Sequence, residues 1–280
     1  MTVPISNVNL YATRLSGHRY MIHTTAKCKT DMPSACFSAF LRTAPDHEGY
    51  PHQHATGQLV LVKRGILTGC TENHNWLLQP GMVGWIPPEH THWGKGAGPI
   101  ELVVLYLAPE RCARLPKQIA LLRATTLLTA LCERLADTNV LLDSARKDRM
   151  LELLLDEVSD APSDGLILTL SRDKRLNRIT DALMHAPGDR VTLAEWGRQV
   201  GATERTLARL FRRETGLSYK DWRYRLLLRE ALTGLADGLS NENLADKLGF
   251  ASADCFNHWF RRQTNQTPKH FRENVSGTAR

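Results

Sequence analysis

The 280-residue sequence predicts a multidomain α+β protein: an N-terminal β-barrel, a helical linker and an all-α C-terminal domain. Three observations predict it. Short β-branched and aromatic runs bounded by Gly and Pro fill roughly residues 48–108. From Pro116 the apolar period changes to the 3-and-4 spacing of helices. Finally, the segment Leu210-Phe-Arg-Arg-Glu-Thr-Gly-Leu-Ser-Tyr-Lys-Asp-Trp-Arg223 returns 49 residues later as Trp259-Phe-Arg-Arg-Gln-Thr-Asn-Gln-Thr-Pro-Lys-His-Phe-Arg272.

The strands come first. Leu59–Gly65, Ile66–Thr71, Met82–Ile86 and Ile100–Leu107 are closely spaced with no intervening helix, the pattern of an antiparallel sandwich or small barrel, and His74 and Trp76 read as turn residues. One helix is then marked by Leu121, Leu127, Leu128, Leu131 and Leu135, and a second by Met150, Leu151, Leu154, Leu155 and Val158. Such leucine stripes either pack on the barrel or form a self-association face, so a homodimer is one expected assembly. Asp160–Gly165 reads as a linker, with helix throughout thereafter.

Charge divides the chain in the same way. Residues 1–170 carry 16 basic and 16 acidic side chains, residues 171–280 carry 20 and 13, so the whole excess of +7 lies in the C-terminal part. A basic domain joined to a neutral one suits a polyanion-binding module attached to a unit with a different task. The six cysteines form no CxxC pair, which argues against a zinc module or disulfide framework. No run of eighteen apolar residues and no signal-peptide pattern is present, so the expected address is cytoplasmic with no membrane partner.

Each copy of the repeat reads as the second half of a helix-turn-helix. In residues 192–213, Thr192-Leu-Ala-Glu195 is a capping box, Gly201 supplies the turn, Thr203 caps the next helix, and Leu207, Leu210 and Phe211 give that helix a buried face. Its exposed face holds Glu204, Arg205, Arg209 and Arg212; arginine suits bidentate contact with guanine in the major groove. In residues 240–262, Leu244, Ala245 and Leu248 support, Gly249 turns, Ser252 caps, and Phe256, Trp259 and Phe260 face the core. Asp254, Asn257, His258 and Arg261 remain outward, a weaker set of readers. A long helix from Ser218-x-x-Asp221 through Leu235 should join the two rigidly, about one DNA turn apart.

These residues carry a resemblance. Leu207–Gly216, Ala245–Phe250, Phe256–Arg262 and Thr267–Arg272 resemble the DNA-binding domain of AraC/XylS-type transcription regulators across the whole of residues 171–280. The resemblance implies promoter DNA as a partner, with RNA polymerase as another for an activator. It puts Arg205 and Arg209 at base-reading positions of the first helix, and Asp254 and His258 at those of the second. Asn265 stands where the family has glycine, and asparagine tolerates the left-handed conformation of a helix end.

Upstream, His52-x-His54, Gln58, Gly65, Gly81, Pro87 and His92 are similar in spacing to the two cupin motifs, with Gln58 in place of the glutamate and Glu89 in place of a glycine. Residues 1–112 are therefore expected to be a cupin-like effector-sensing domain and residues 113–170 a helical linker or dimerisation segment. Two readings of the histidines stay open. His52, His54, Gln58 and His92, with Trp85 or Trp93 as apolar wall, form a pocket for a small-molecule effector; or His52, His54 and His92 hold a divalent metal. A cupin metalloenzyme with an accessory DNA-binding domain is the rival function. No P-loop, GxSxG or HExxH supports an enzyme.

Overall fold

The computed structural model describes residues 2–4, 10–15, 19–24, 37–43 and 98 as backbone, and residues 50–97, 99–137, 143–163 and 165–277 in full. Contacts divide the chain into two compact units, Met1–Gly69 with Leu78–Gly165, and Cys70–Leu77 with Leu166–Arg280.

In the first unit β1 (Thr2–Pro4), β2 (Leu10–Leu15) and β3 (Arg19–Thr24) form a small antiparallel sheet. β4 (Phe37–Thr43) and β5 (Gly57–Cys70) begin the main sheet, and β6 (His74–Leu78) belongs with the second unit. β7 (Met82–Ile86), β8 (Trp93–Leu107) and β9 (Ala120–Arg123) complete the order β4-β8-β5-β7-β9, a sheet that curls into a half-barrel.

Strand alternation gives this sheet two working faces. Leu59 lies opposite Trp85 and Gln58 opposite Ile86 in the β5–β7 register. Leu59, Leu61, Val83, Trp85, Val103, Leu105 and Leu107 pack on one face against α1 (Thr126–Ala136) and α2 (Ser144–Asp160). Thr125 and Asp143 cap the two helices through the amides of Leu128 and Arg146. Leu128, Leu131, Leu135, Leu151, Leu154, Leu155 and Val158 are each at most 6% exposed in that core.

Three expectations change here. Leu121 lies on strand β9 and not on a helix. Most of the leucines of the two stripes are consumed by the sheet, with Leu127 left 43% exposed, and residues 113–165 fall within the first compact unit. His74 and Trp76 lie on strand β6, with Trp76 only 2% exposed.

The second unit opens with a further correction: Leu166–Thr169 is strand β10, which pairs antiparallel with β6 in the register Leu166 to Leu77 and Thr169 to His74. The helices are α3 (Lys174–His185), α4 (Leu193–Val200), α5 (Glu204–Thr215), α6 (Tyr219–Ala236), α7 (Asn241–Lys247), α8 (Ala253–Thr264) and α9 (Pro268–Ser276). Thr192 and Glu195 make both bonds of the capping box, and Thr203, Ser218 and Ser252 cap α5, α6 and α8 as expected. Asn265 adopts φ 56° at the end of α8, the left-handed conformation anticipated for it.

A core of Leu176, Ile179, Trp196, Leu207, Phe211, Trp222 and Leu226 joins α3 to α6. The Trp222 indole N–H donates to Thr169 O at 3.0 Å and the Arg225 guanidinium to Ile167 O at 2.9 Å, fastening β10 to α6. The loop after α3 also reaches the second helix-turn-helix. A Cβ on Gly188 would lie 2.7 Å from Lys247 O and one on Gly249 would lie 2.5 Å from Gly188 O, so only two glycines allow the backbones to approach this closely. Arg190 Nη2 donates to Gly249 O at 2.5 Å across the same contact, and Arg223 donates to Asp189 O beside it.

Candidate effector site and nucleic-acid interface

His52 and His54 lie on the approach to β5 and His92 on the approach to β8, and two backbone bonds tie these approaches together: His52 N to His92 O at 3.0 Å and His92 N to His52 O at 2.8 Å. The rings converge, with centroids 4.5 Å apart for His52 and His92 and 5.1 Å for His54 and His92. One nitrogen from each of the three lies within 4.8 Å of the others.

Hydrogen bonding sets their tautomers. Nδ1 of His52 donates to Tyr50 O at 2.8 Å, that of His54 to Thr56 O at 2.7 Å and that of His92 to His90 O at 2.8 Å. A carbonyl only accepts, so each neutral ring carries its proton on Nδ1 and keeps a lone pair on Nε2. Nε2 of His54 and of His92 is buried with no partner among the described residues, and so is Oε1 of Gln58. The Gln58 amide N–H reaches the Tyr106 hydroxyl at 3.3 Å, and the Tyr106 ring stands edge-on to His54 at 5.3 Å.

Burial lowers the His54 pKa and takes that of His92 down to about 3. Both imidazoles are neutral near pH 7 and available as donors to a metal or as acceptors from a ligand. Between about pH 6.5 and 3 the unfolded chain binds a proton at His92 that the folded chain refuses. Stability of the first unit should therefore fall through that window as pH drops, approaching about 1.4 kcal/mol per pH unit. Thermal melts at about pH 7 and about pH 5 check this, and His92→Gln should flatten the dependence.

The structure brings His52, His54, Gln58 and His92 together, but not Trp85. That indole is fully buried on the opposite face of the sheet, donating to Pro116 O at 2.7 Å among residues packed on α1 and α2. Leu59, opposite Trp85, and Gln58, opposite Ile86, are consecutive residues and so face opposite ways. Tyr106, which the sequence reading passed over, takes the place next to the histidines. Its one available signal was a phenol in the aliphatic run Leu102–Leu107.

In the second unit Glu204, Arg205, Arg209 and Arg212 are exposed on α5, opposite buried Leu207, Leu210 and Phe211. Among the described residues no carboxylate pairs with Arg205, Arg209 or Arg212, so this face is net positive, three guanidiniums against the Glu204 carboxylate. On α8 Asp254, His258 and Arg261 are exposed. Asn257 is half-buried, and its carbonyl accepts from the Asn241 amide at 2.9 Å, which commits part of its hydrogen-bonding capacity inside the protein. Gly201, at φ 68°, makes the tight turn between α4 and α5.

A curled sheet with a buried polar cluster, followed by two helix-turn-helix units, defines a transcription regulator with a ligand-binding domain. The family models and a sequence relative agree. The model of the AraC-like ligand binding domain matches residues 37–173 and that of a helix-turn-helix domain matches residues 196–274. The HTH-type transcriptional regulator NimR of Escherichia coli (strain K12) is 31% identical over 218 residues, covering 78% of this chain and 80% of that protein. RipA of Corynebacterium glutamicum, also an HTH-type transcriptional regulator, is 31% identical over 102 residues, 36% of this chain and 31% of that one. A crystal structure of ToxT from Vibrio cholerae O395 aligns over 88% of this chain and 100% of its own at 10% identity, with a TM-score of 0.38. The chain belongs to the AraC-type transcriptional regulators. Among the described residues no helix is long and apolar enough to cross a membrane.

Proposed function

We propose that the first unit senses an effector at His52, His54, Gln58 and His92, and that the second unit reads promoter DNA through α5 and α8. The observation that carries the sensing half is the convergence of three imidazoles whose Nδ1 atoms are already committed to backbone carbonyls. That donor set fits a first-row divalent metal, because an Nδ1–H bonded to a carbonyl orients the ring and leaves Nε2 as the ligand atom. His52, His54 and His92 would hold the metal, which supplies a Lewis-acidic point for an oxygen- or nitrogen-bearing effector. Gln58 and Tyr106 supply hydrogen bonds beside it.

The effector acts by binding one of two arrangements of the protein better and so shifting DNA affinity or geometry, with activation or repression of nearby transport or metabolic genes as the output. RNA polymerase is a partner in the activating case, and a homodimer on paired half-sites is a further expected assembly.

Metal analysis tests the sensing half. The purified protein should retain about one equivalent of divalent metal, and His54→Ala and His92→Ala should lose it together with the effector response. A substrate turnover that disappeared with the metal would favour a metalloenzyme over a sensor.

For the DNA half, Arg209→Ala should cost about 1–3 kcal/mol on a preferred duplex while barely changing binding to a scrambled one. Unaltered affinity for the preferred duplex removes Arg209 from the readers.

A further inference from the structure

The second unit contains a cleft of about 760 Å³ that base reading does not use. One wall is α5, through Ala208 and Arg212, on the same exposed side as Arg205 and Arg209. Another is the first turns of α6, and a third is the turn before α8 together with Trp259. It thus lies between the two recognition helices and opens beside the reading face of the first. Arg190, Arg212, Lys220 and Arg223 line it against a single carboxylate, Glu204. Among the described residues no carboxylate pairs with any of these four cations.

The cleft is built and not merely left over. Arg190 is held by Gly249 O at 2.5 Å, and Arg223 donates to Asp189 O with its guanidinium 5.8 Å above the Tyr219 ring. The Arg223 Nε–H is buried and has no acceptor among the described residues. The Arg223 guanidinium is thus held at the cleft with exposed Lys220 three residues before it on α6, so the lining presents fixed positive charge to an anion.

If two helices read successive major grooves of one duplex, the sugar-phosphate backbone bordering the intervening minor groove must pass the surface between them. We propose that this cleft seats that backbone, with Lys220 and Arg223 as its phosphate-binding side chains and Tyr219 and Trp259 as walls for the sugar. The proposal rests on the reading that α5 and α8 engage the same duplex.

The test uses the full-length protein, a duplex it selects from a random pool, and a scrambled duplex, with affinity measured against KCl concentration. Lys220→Gln should weaken both duplexes alike, about 3- to 10-fold near 0.1 M salt, and reduce the slope of log K on log salt by about one. Arg223→Gln should do the same, and Lys220 remains the decisive position if that variant melts early. Methylphosphonate linkages at the phosphates between the two grooves should weaken the wild type equally and add nothing to Lys220→Gln. An unchanged salt slope, a loss confined to the selected duplex, or indifference to methylphosphonates overturns the cleft proposal alone. Equal wild-type affinity for both duplexes overturns it together with the DNA-reading assignment beneath it.

Discussion

Trp222→Ala should lower the melting temperature of the helical unit by about 10–30 °C, the largest loss expected from a single side chain there. The indole is fully buried, stands 6.3 Å from the Phe211 ring and donates to Thr169 O. Truncation removes the transfer energy of the largest apolar side chain, leaves a cavity in a core that collapses only in part, and strands the Thr169 carbonyl; together these cost about 3–5 kcal/mol. Folded domains have roughly 5–15 kcal/mol to lose, so binding to DNA at 37 °C should fall with the folded fraction. Trp222→Phe separates the contributions, since it keeps most of the volume and gives up the hydrogen bond. Far-ultraviolet circular dichroism during heating measures both, and a shift below about 4 °C for the alanine variant would falsify the placement of Trp222 at the centre of this core.

Gly249→Ala should cost about 2–4 kcal/mol, and Gly201→Ala only about 1. Both glycines turn a helix-turn-helix at positive φ, 74° and 68° respectively. They differ in what a methyl group meets: nothing within 4 Å at Gly201, but Gly188 O at 2.5 Å at Gly249. Each variant incurs the dihedral penalty of an L-residue in the left-handed region. Only Gly249→Ala must also push two backbones apart and disturb the Arg190 bond to Gly249 O. The displaced segment carries α8, so this variant should also lose preference at the base pairs proposed for α8, whereas Gly201→Ala disturbs only the first helix-turn-helix. Chemical denaturation of the two variants side by side is the measurement; equal losses would mean that the loop after α3 does not bear on the second reader.

Local chemistry was legible in the sequence. Capping residues, left-handed turn residues and the apolar faces of α5 and α8 were readable because each depends on neighbours within four positions. Features set by pairing over long separations were not. Whether Trp85 faces the histidines or the helices depends on the register of β7 against β5, which a run such as Met82–Ile86 does not encode by itself. Tyr106 joins the site through Gln58, 48 positions away, and Asn257 is engaged by Asn241, 16 positions away. Leu166–Thr169 is too short and too uniformly apolar for its period to distinguish strand from helix, and partnership with β6 decides it. The stripe on α2 was correctly seen as amphipathic, whereas that on α1 took in Leu121 of β9 and exposed Leu127; periodicity names a buried face without naming what buries it.

The two-faced sheet has a consequence for how such a protein can change over generations. Gln58 belongs to the histidine side while Leu59, one residue along, belongs to the structural side, and the same strand fixes both. On the sensing role proposed above, specificity and foldability are therefore written on separate sets of positions: variation at residues 52, 54, 58, 92 and 106 would alter what is recognised without touching the apolar layer against α1 and α2, a route by which duplicated copies of one regulator could diverge toward new signals while keeping the same scaffold.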